Sequence, residues 1–293
     1  MSNRAFTVAA AQFPVFSPDS WDEVEALVTR WVADAAAQGA QLLVFPEYGA
    51  MSLAHLDAAT RSDLHGQIAA MQVHREAWRA LHARLALAHG VTILSGSFPW
   101  RLDDGRYVNR AFLCLPTGEV EHQDKCVMTR FEREQWNISS AAPLKVFDTA
   151  LGKLAVLICY DSEFPLLARA ACTAGAEVLL VPSCTDTLAG YYRVKVGAQA
   201  RALENQCYVV QSPIVGEAAW SPAVDVNIGA AGVYGPPDRG FPDDGVIALG
   251  PLNEPRWLYA EVDPAKVAEV REHGAVRPFR HWPESDGWPV ERR

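Results

Sequence analysis

A chain of 293 residues, 49% hydrophobic and 21% charged, carries enough apolar material for one large α/β domain or two small ones. Its net charge of −9 and the absence of any basic cluster argue against nucleic acid or an anionic membrane as partner. No apolar run approaches the length of a membrane span, so no membrane partner is expected.

The opening M-S-N-R-A-F-T-V-A-A-A-Q-F is broken early by Gln12 and Pro14 and reads as a first strand, Phe6 to Phe13, better than as a signal peptide. Trp21 to Gln38 places apolar residues at Trp21, Val24, Leu27, Val28, Trp31 and Val32, a helical period that Gly39 ends. Gln41 to Phe45 is a buried strand closed by Pro46-Glu47. A long helix is predicted from about Arg61 to Ala88, with Gly90 as its stop. Its histidines, His65, His74, His82 and His89, do not keep one face and are expected at the surface. With no H-E-x-x-H and no zinc-ligand spacing, no metal is expected.

Val91 to Phe98 and Tyr107 to Leu115 pair most simply as a hairpin across Asp103-Asp104-Gly105, and Glu119 to Gln123 returns as another strand. Asp124 to Pro143 has no clear period, and a loop that long in a compact domain is usually functional. Lys145 to Asp148 and Lys153 to Ile158 form a second hairpin. Then come a helix from Glu163 to Ala174, a strand from Glu177 to Pro182, a helix from Val194 to Asn205 and a strand from Cys207 to Gln211. Strands near Gly245 to Leu249 and Trp257 to Val262 lead into a helix from Pro264 to about His273. Residues 1–277 read as a single domain, and the Pro-, Trp- and Arg-rich tail, 278–293, is expected to cover a surface or a partner subunit. Hairpins mixed with strand–helix alternation indicate an α/β protein with two sheets in contact and helices over their outer faces.

The six cysteines, Cys114, Cys126, Cys159, Cys172, Cys184 and Cys207, form no C-x-x-C pair, and several lie in strand-like runs. Free thiols in a reducing cytoplasm are expected, not a disulfide framework. Cys159 stands out. It ends the apolar run Leu154 to Ile158, and Asp161 or Ser162 can cap a helix just after it. A helix dipole at such an elbow favours the thiolate, and ligands bind at the carboxyl ends of strands in open α/β sheets. Cys184 also follows a strand, but no helix start or neighbouring base accompanies it.

Three chemistry-bearing residues thus stand at strand ends: Glu47, Lys125 and Cys159. If those ends meet, they supply a general base, an oxyanion donor and a nucleophile. Singly, each has a plain structural explanation. Together with F-P-E at 45–47, D-K at 124–125, L-I-C-Y-D-S-E-F-P at 157–165 and R-A-L-E-N at 201–205, in that order, the chain resembles the nitrilase superfamily of carbon–nitrogen hydrolases.

That resemblance implies an α-β-β-α sandwich that pairs with a second subunit, and a Glu-Lys-Cys triad needing no cofactor. Glu47 would be the base, Cys159 the nucleophile and Lys125 the oxyanion donor, helped by the backbone N–H of Tyr160. Many members also carry a second glutamate that helps to place substrate. Of Glu132 and Glu134, the latter is preferred here, because its distance from Ser139 resembles the family's usual spacing. Arg193 is a further candidate, as an anchor for a substrate carboxylate. The implied reaction is hydrolysis of a small amide through a cysteine thioester, with nitrilase, N-carbamoyl amine hydrolase and a non-catalytic scaffold as the alternatives. Tyr160-Asp161 after the cysteine is similar to the amidase branches; nitrile-hydrolysing members usually carry Trp-Glu there.

Overall fold

The computed structural model describes residues 5–141 and 143–293; Met1–Arg4, the head of the stretch weighed as a signal peptide, lie outside it. In chain order the strands are β1 (Phe6–Pro14), β2 (Leu42–Val44), β3 (Thr92–Leu94), β4 (Phe98–Arg101), β5 (Tyr107–Cys114), β6 (Val120–Asp124), β7 (Ile138–Ser139), β8 (Val146–Thr149), β9 (Gly152–Val156), β10 (Val178–Ser183), β11 (Tyr208–Glu217), β12 (Val226–Asn227), β13 (Gly232–Tyr234), β14 (Val246–Leu249) and β15 (Arg256–Val262). The helices are α1 (Trp21–Ala37), α2 (Gly66–Ala70), α3 (Arg75–His89), α4 (Arg130–Glu134), α5 (Pro165–Thr173), α6 (Leu188–Asn205), α7 (Pro264–His273) and α8 (Pro278–His281).

The strands form two leaves. One runs β15–β1–β2–β3–β5, with β4 and β6 also on β5; the other runs β8–β9–β10–β11–β13–β14. They join where Phe13 and Pro14 pair in parallel with Ile214 and Val215, so one sheet curls into a sandwich. Side-chain alternation sorts the layers. Val8, Ala10, Leu42 and Val44 belong to the core shared with the second leaf, whereas Ala9, Ala11, Leu43 and Phe45 pack with Val24, Val28 and Val32 of α1 and Trp78, Leu81 and Leu85 of α3. Leu154–Ile158 is fully buried, flanked by Ala168 of α5 and Val194, Ala198 and Ala202 of α6. The order α-β-β-α follows.

Several expectations are corrected. The long helix from Arg61 is broken: Asp57 and Asp63 accept hydrogen bonds from the backbone N–H groups of Ala59, His65 and Gly66, which makes turns competitive with helix over 57–65. Helix resumes as α2, a 3₁₀ turn over Met71–His74, and α3, which ends at Gly90 with φ 65°. Val91 to Phe98 is two strands, β3 and β4, split at Ser95-Gly96-Ser97, and β4 makes the hairpin across residues 103–105. The break lets Gly96 pass Gly49, where an added Cβ would lie 2.9 Å from the Gly49 Cα. Helix α6 starts six residues early because the Thr187 hydroxyl caps the N–H of Gly190 at 3.1 Å. The tail packs first on the chain itself: Phe279 lies under the guanidinium groups of Arg169 and Arg271, while Trp288 and Val290 are exposed.

His82 is buried, not at the surface. Its Nδ1–H donates to the Trp78 carbonyl at 2.9 Å, and burial pushes its pKa down to about 4. The folded state therefore holds His82 neutral while the unfolded chain takes up a proton below 6.5. Stability should fall as pH drops from about 6.5 to 4, by roughly 3 kcal/mol in the limit for this one group. Denaturant titrations across that range check it: His82→Phe should flatten the dependence, and an unchanged slope would exclude His82 as its source.

Candidate active site

The carboxyl ends of β2, β6 and β9 do converge. Glu47 follows β2, and its carboxylate is 1% exposed. It accepts from Lys125 Nζ at 2.7 Å and Asn109 Nδ2 at 2.9 Å, and its charge acts on the Cys159 thiol in the same cavity. Tyr48, next in sequence, takes φ 55°, a left-handed conformation held by a bond from its N–H to Ser97 Oγ at 2.7 Å. Lys125 leaves β6 through an N–H bond to the Asn109 carbonyl, and Arg110 grips the preceding Asp124 bidentately at 2.7 and 2.9 Å. The ammonium gives one proton to Glu47 and one to Glu132 at 2.6 Å. An ammonium has three donors, so one remains for a further acceptor.

Cys159 does not sit against a helix. It opens a 3₁₀ turn, Cys159–Glu163, at φ 49°, and α5 begins only at Pro165. Neither Asp161 nor Ser162 caps that helix. Asp161 accepts from the N–H groups of Ile158, Cys126 and Val127 at 3.1, 3.1 and 2.8 Å, which locks the Cys159 turn to the segment after Lys125. Ser162 Oγ donates to the Cys159 carbonyl at 2.6 Å. From α6, Arg201 donates to the Ser162 carbonyl at 3.1 Å and pairs with Glu204, which accounts for R-A-L-E-N. Gly197 lets α6 come this close, since a Cβ there would lie 3.1 Å from the Ser162 carbonyl.

The expected dipole-lowered thiol is therefore overturned. Burial first, and then the Glu47 charge, push the Cys159 thiol well above its ordinary value. Burial likewise raises Glu47 to about 7 against the pull of Lys125. Proton transfer between two groups on one cavity wall, rather than a standing thiolate, is what this arrangement supports.

The place expected of Glu134 is occupied by Glu132. Glu134 is half exposed and pairs with Arg130 at 2.7 Å. Glu132 is buried and bonds to Lys125, to the Tyr48 hydroxyl at 2.5 Å and to Asn109 at 3.3 Å. Burial raises its pKa, but Lys125 and these donors outweigh that and hold it below the ordinary carboxylate range. Helix α4 delivers it. The Thr129 hydroxyl accepts from the Glu132 N–H at 3.2 Å, and Glu132 accepts from the Thr129 N–H at 2.9 Å. This capping box, T-x-x-E at 129–132, was the sequence signal for Glu132.

Residues 7–272 match the family described as carbon-nitrogen hydrolase. The chain belongs to the carbon-nitrogen hydrolase family. It is 32% identical over 276 residues to the probable hydrolase YhcX of Bacillus subtilis, an alignment that covers 93% of this chain and 53% of YhcX, so the chain spans about half of that relative's length. It is 27% identical over 286 residues to the omega-amidase NIT2-B of Xenopus laevis, covering 93% of this chain and 94% of that one. An amidase of the nitrilase superfamily from Nesterenkonia sp. AN1 shares the fold, with TM-score 0.68 and 23% identity over 96% of this chain and 98% of the other. A mutant of that amidase carries the acetamide moiety of fluoroacetamide covalently added at its active-site cysteine. At this identity the solved structures speak for a shared fold.

In this carbon-nitrogen hydrolase the three residues open into a cavity of ≈ 520 Å³. Tyr48 and Trp136 pack together at 4.9 Å on its wall, and Tyr160, second in the Cys159 turn, also lines it. The first N–H groups of such a turn have no partner within the turn. Arg193 reaches the same cavity from α6, where its Nε lies 3.5 Å from Glu163. Sequence reasoning missed Asn109, which bonds to Glu47, and Tyr48, which bonds to Glu132, and it named Asp161 only as a helix cap.

Proposed function

We propose that the protein is an amidase that cleaves the C–N bond of a small amide through a Cys159 thioester. The observation that carries this reading is the meeting of Glu47, paired with Lys125, and Cys159 on the wall of one cavity. Glu47 takes the thiol proton as sulfur attacks the amide carbon. The oxyanion forms against the spare Lys125 proton and the Tyr160 N–H, donors fixed before the reaction starts. Glu47 then returns the proton to the leaving nitrogen, the C–N bond breaks, and ammonia or an amine departs. Water attacks the thioester with Glu47 again as base, releasing the acid and restoring the thiol. Glu132 holds Lys125 in place through a second of its three N–H donors. The covalent adduct at the active-site cysteine of the Nesterenkonia amidase supports the choice of a cysteine as nucleophile.

A planar thioimidate formed from a nitrile must be protonated on nitrogen before water adds, a different demand from that of a tetrahedral oxyanion. Matched amide and nitrile pairs with one acyl group, scored by ammonia release, test the reading; a nitrile turned over faster than its amide would overturn it. Arg193 supports a substrate bearing a carboxylate remote from the amide, an ω-amide of a dicarboxylic acid. Arg193→Ala should raise KM for such amides roughly ten-fold and leave uncharged amides alone; an equal effect on both would remove Arg193 from recognition.

Glu132→Gln should lower kcat/KM roughly 10²-fold, whereas Glu134→Gln should change it less than about two-fold. Steady-state kinetics on both variants decide between the two glutamates.

The protein is further proposed to work as a homodimer in the cytoplasm. Leu166 of α5 and Leu188, Tyr192, Val196 and Leu203 of α6 are exposed along one region of the surface, and a partner would cover them. A monomer by light scattering at micromolar concentration would contradict the dimer. Among the described residues no helix is long and apolar enough to cross a membrane, and all six cysteines are free thiols.

A further inference from the structure

We propose that Cys184 is a resolving thiol for Cys159: when peroxide oxidises the Cys159 sulfur, the two residues close a reversible disulfide inside the catalytic cavity. The inference rests on the reading of Cys159 as the reactive thiol. Cys184 lies one residue beyond β10, the strand that neighbours β9, and both cysteines line the one cavity. The register pairs Val156 with Leu180, and carried forward it sets Cys159 beside Ser183, with Cys184 next in line. Contact is already made, since the Cys159 thiol points at the Cys184 carbonyl with Sγ and oxygen 3.6 Å apart. The Cys184 thiol meets the side-chain oxygen of Asn227 at 3.4 Å, and rotation about its one side-chain torsion releases it from that partner. During turnover Cys184 does not compete as a nucleophile, because burial and then the Glu47 charge keep it protonated.

The steps balance. Glu47 takes the Cys159 proton, and sulfur attacks one peroxide oxygen; the O–O bond breaks, leaving Cys159 as a sulfenic acid and releasing water. The Cys184 sulfur then attacks the Cys159 sulfur, the S–OH bond breaks, and hydroxide leaves with the Cys184 proton as a second water. Two thiols have lost two electrons and two protons, and hydrogen peroxide has become two waters. A dithiol reductant reverses the change by exchange. Without Cys184 the sulfenic acid stays open to a second peroxide, which carries it to the irreversible sulfinic acid.

The test treats the full chain with hydrogen peroxide, then with dithiothreitol, and maps peptides by mass spectrometry. Wild type should lose activity, yield a cross-linked peptide joining Cys159 to Cys184, and regain most of its starting rate on reduction. Cys184→Ser, scored against its own untreated rate, should regain roughly ten-fold less and accumulate sulfinic acid at Cys159. The map also separates this bond from one between Cys172 and Cys207, which interact with each other elsewhere. Absence of the Cys159–Cys184 peptide from inactivated wild type would overturn the proposal. So would recovery of Cys184→Ser to the wild-type extent. The cross-link is read by mass alone, so it stands or falls separately from any substrate assignment.

Discussion

Cys159→Ala is expected to lower kcat/KM by roughly 10⁴-fold or more, to the residual rate that binding and oxyanion donors alone can give. The side chain makes one hydrogen bond, to the Cys184 carbonyl, and removing a single sulfur leaves the turn's backbone held by Asp161 and Ser162. The loss should therefore appear in turnover and not in melting temperature. Steady-state kinetics beside a thermal melt separate the two. A thiol reagent at neutral pH should modify Cys159 ahead of the others, since Glu47 can draw off its proton as the sulfur reacts. Full activity in Cys159→Ala would end the assignment, and Cys184 would be the residue to examine next.

Lys125→Met should be costly twice over. Lys125 is 1% exposed and sits between two carboxylates, so its loss leaves Glu47 and Glu132 buried without a counter-charge. Breaking such a buried arrangement typically destabilises by about 3–5 kcal/mol. Removal of an oxyanion donor lowers kcat by roughly 10²–10³-fold. The two effects separate by pH. In the native protein kcat/KM should rise through about 7 as Glu47 loses its proton. In Lys125→Met that limb should move to higher pH, because the ammonium that lowers the Glu47 value is gone. A limb left in place would mean that some other group titrates there.

The buried strands and the three strand-end residues were legible because each is written locally: an unbroken apolar run, then a polar residue where the run stops. Glu47, Lys125 and Cys159 could be named this way, but their meeting could not, since Glu47 and Lys125 end strands of one leaf and Cys159 ends a strand of the other. The choice of Glu134 over Glu132 failed for a different reason. Spacing to Ser139 ignored the Thr129 capping box, which winds the segment so that Glu132 turns inward and Glu134 outward. His82 was misplaced because a broken helix resets the facing of its residues. Asp161 was legible as a carboxylate near the cysteine, but its partners Cys126 and Val127 are long-range, and a local reading offered it a helix cap instead.

The pairing of Phe13 and Pro14 with Ile214 and Val215 has a consequence for how activity is acquired. Helices and hairpins such as β8–β9 need only short loops to close, and they can form early. The seam between the leaves needs contacts spanning some two hundred residues, the kind that slow folding through loop-closure entropy. Glu47 and Cys159 come from opposite sides of that seam. A chain with most of its secondary structure in place but its leaves undocked would hold Glu47 and Cys159 apart, so competence waits on a non-local event in folding.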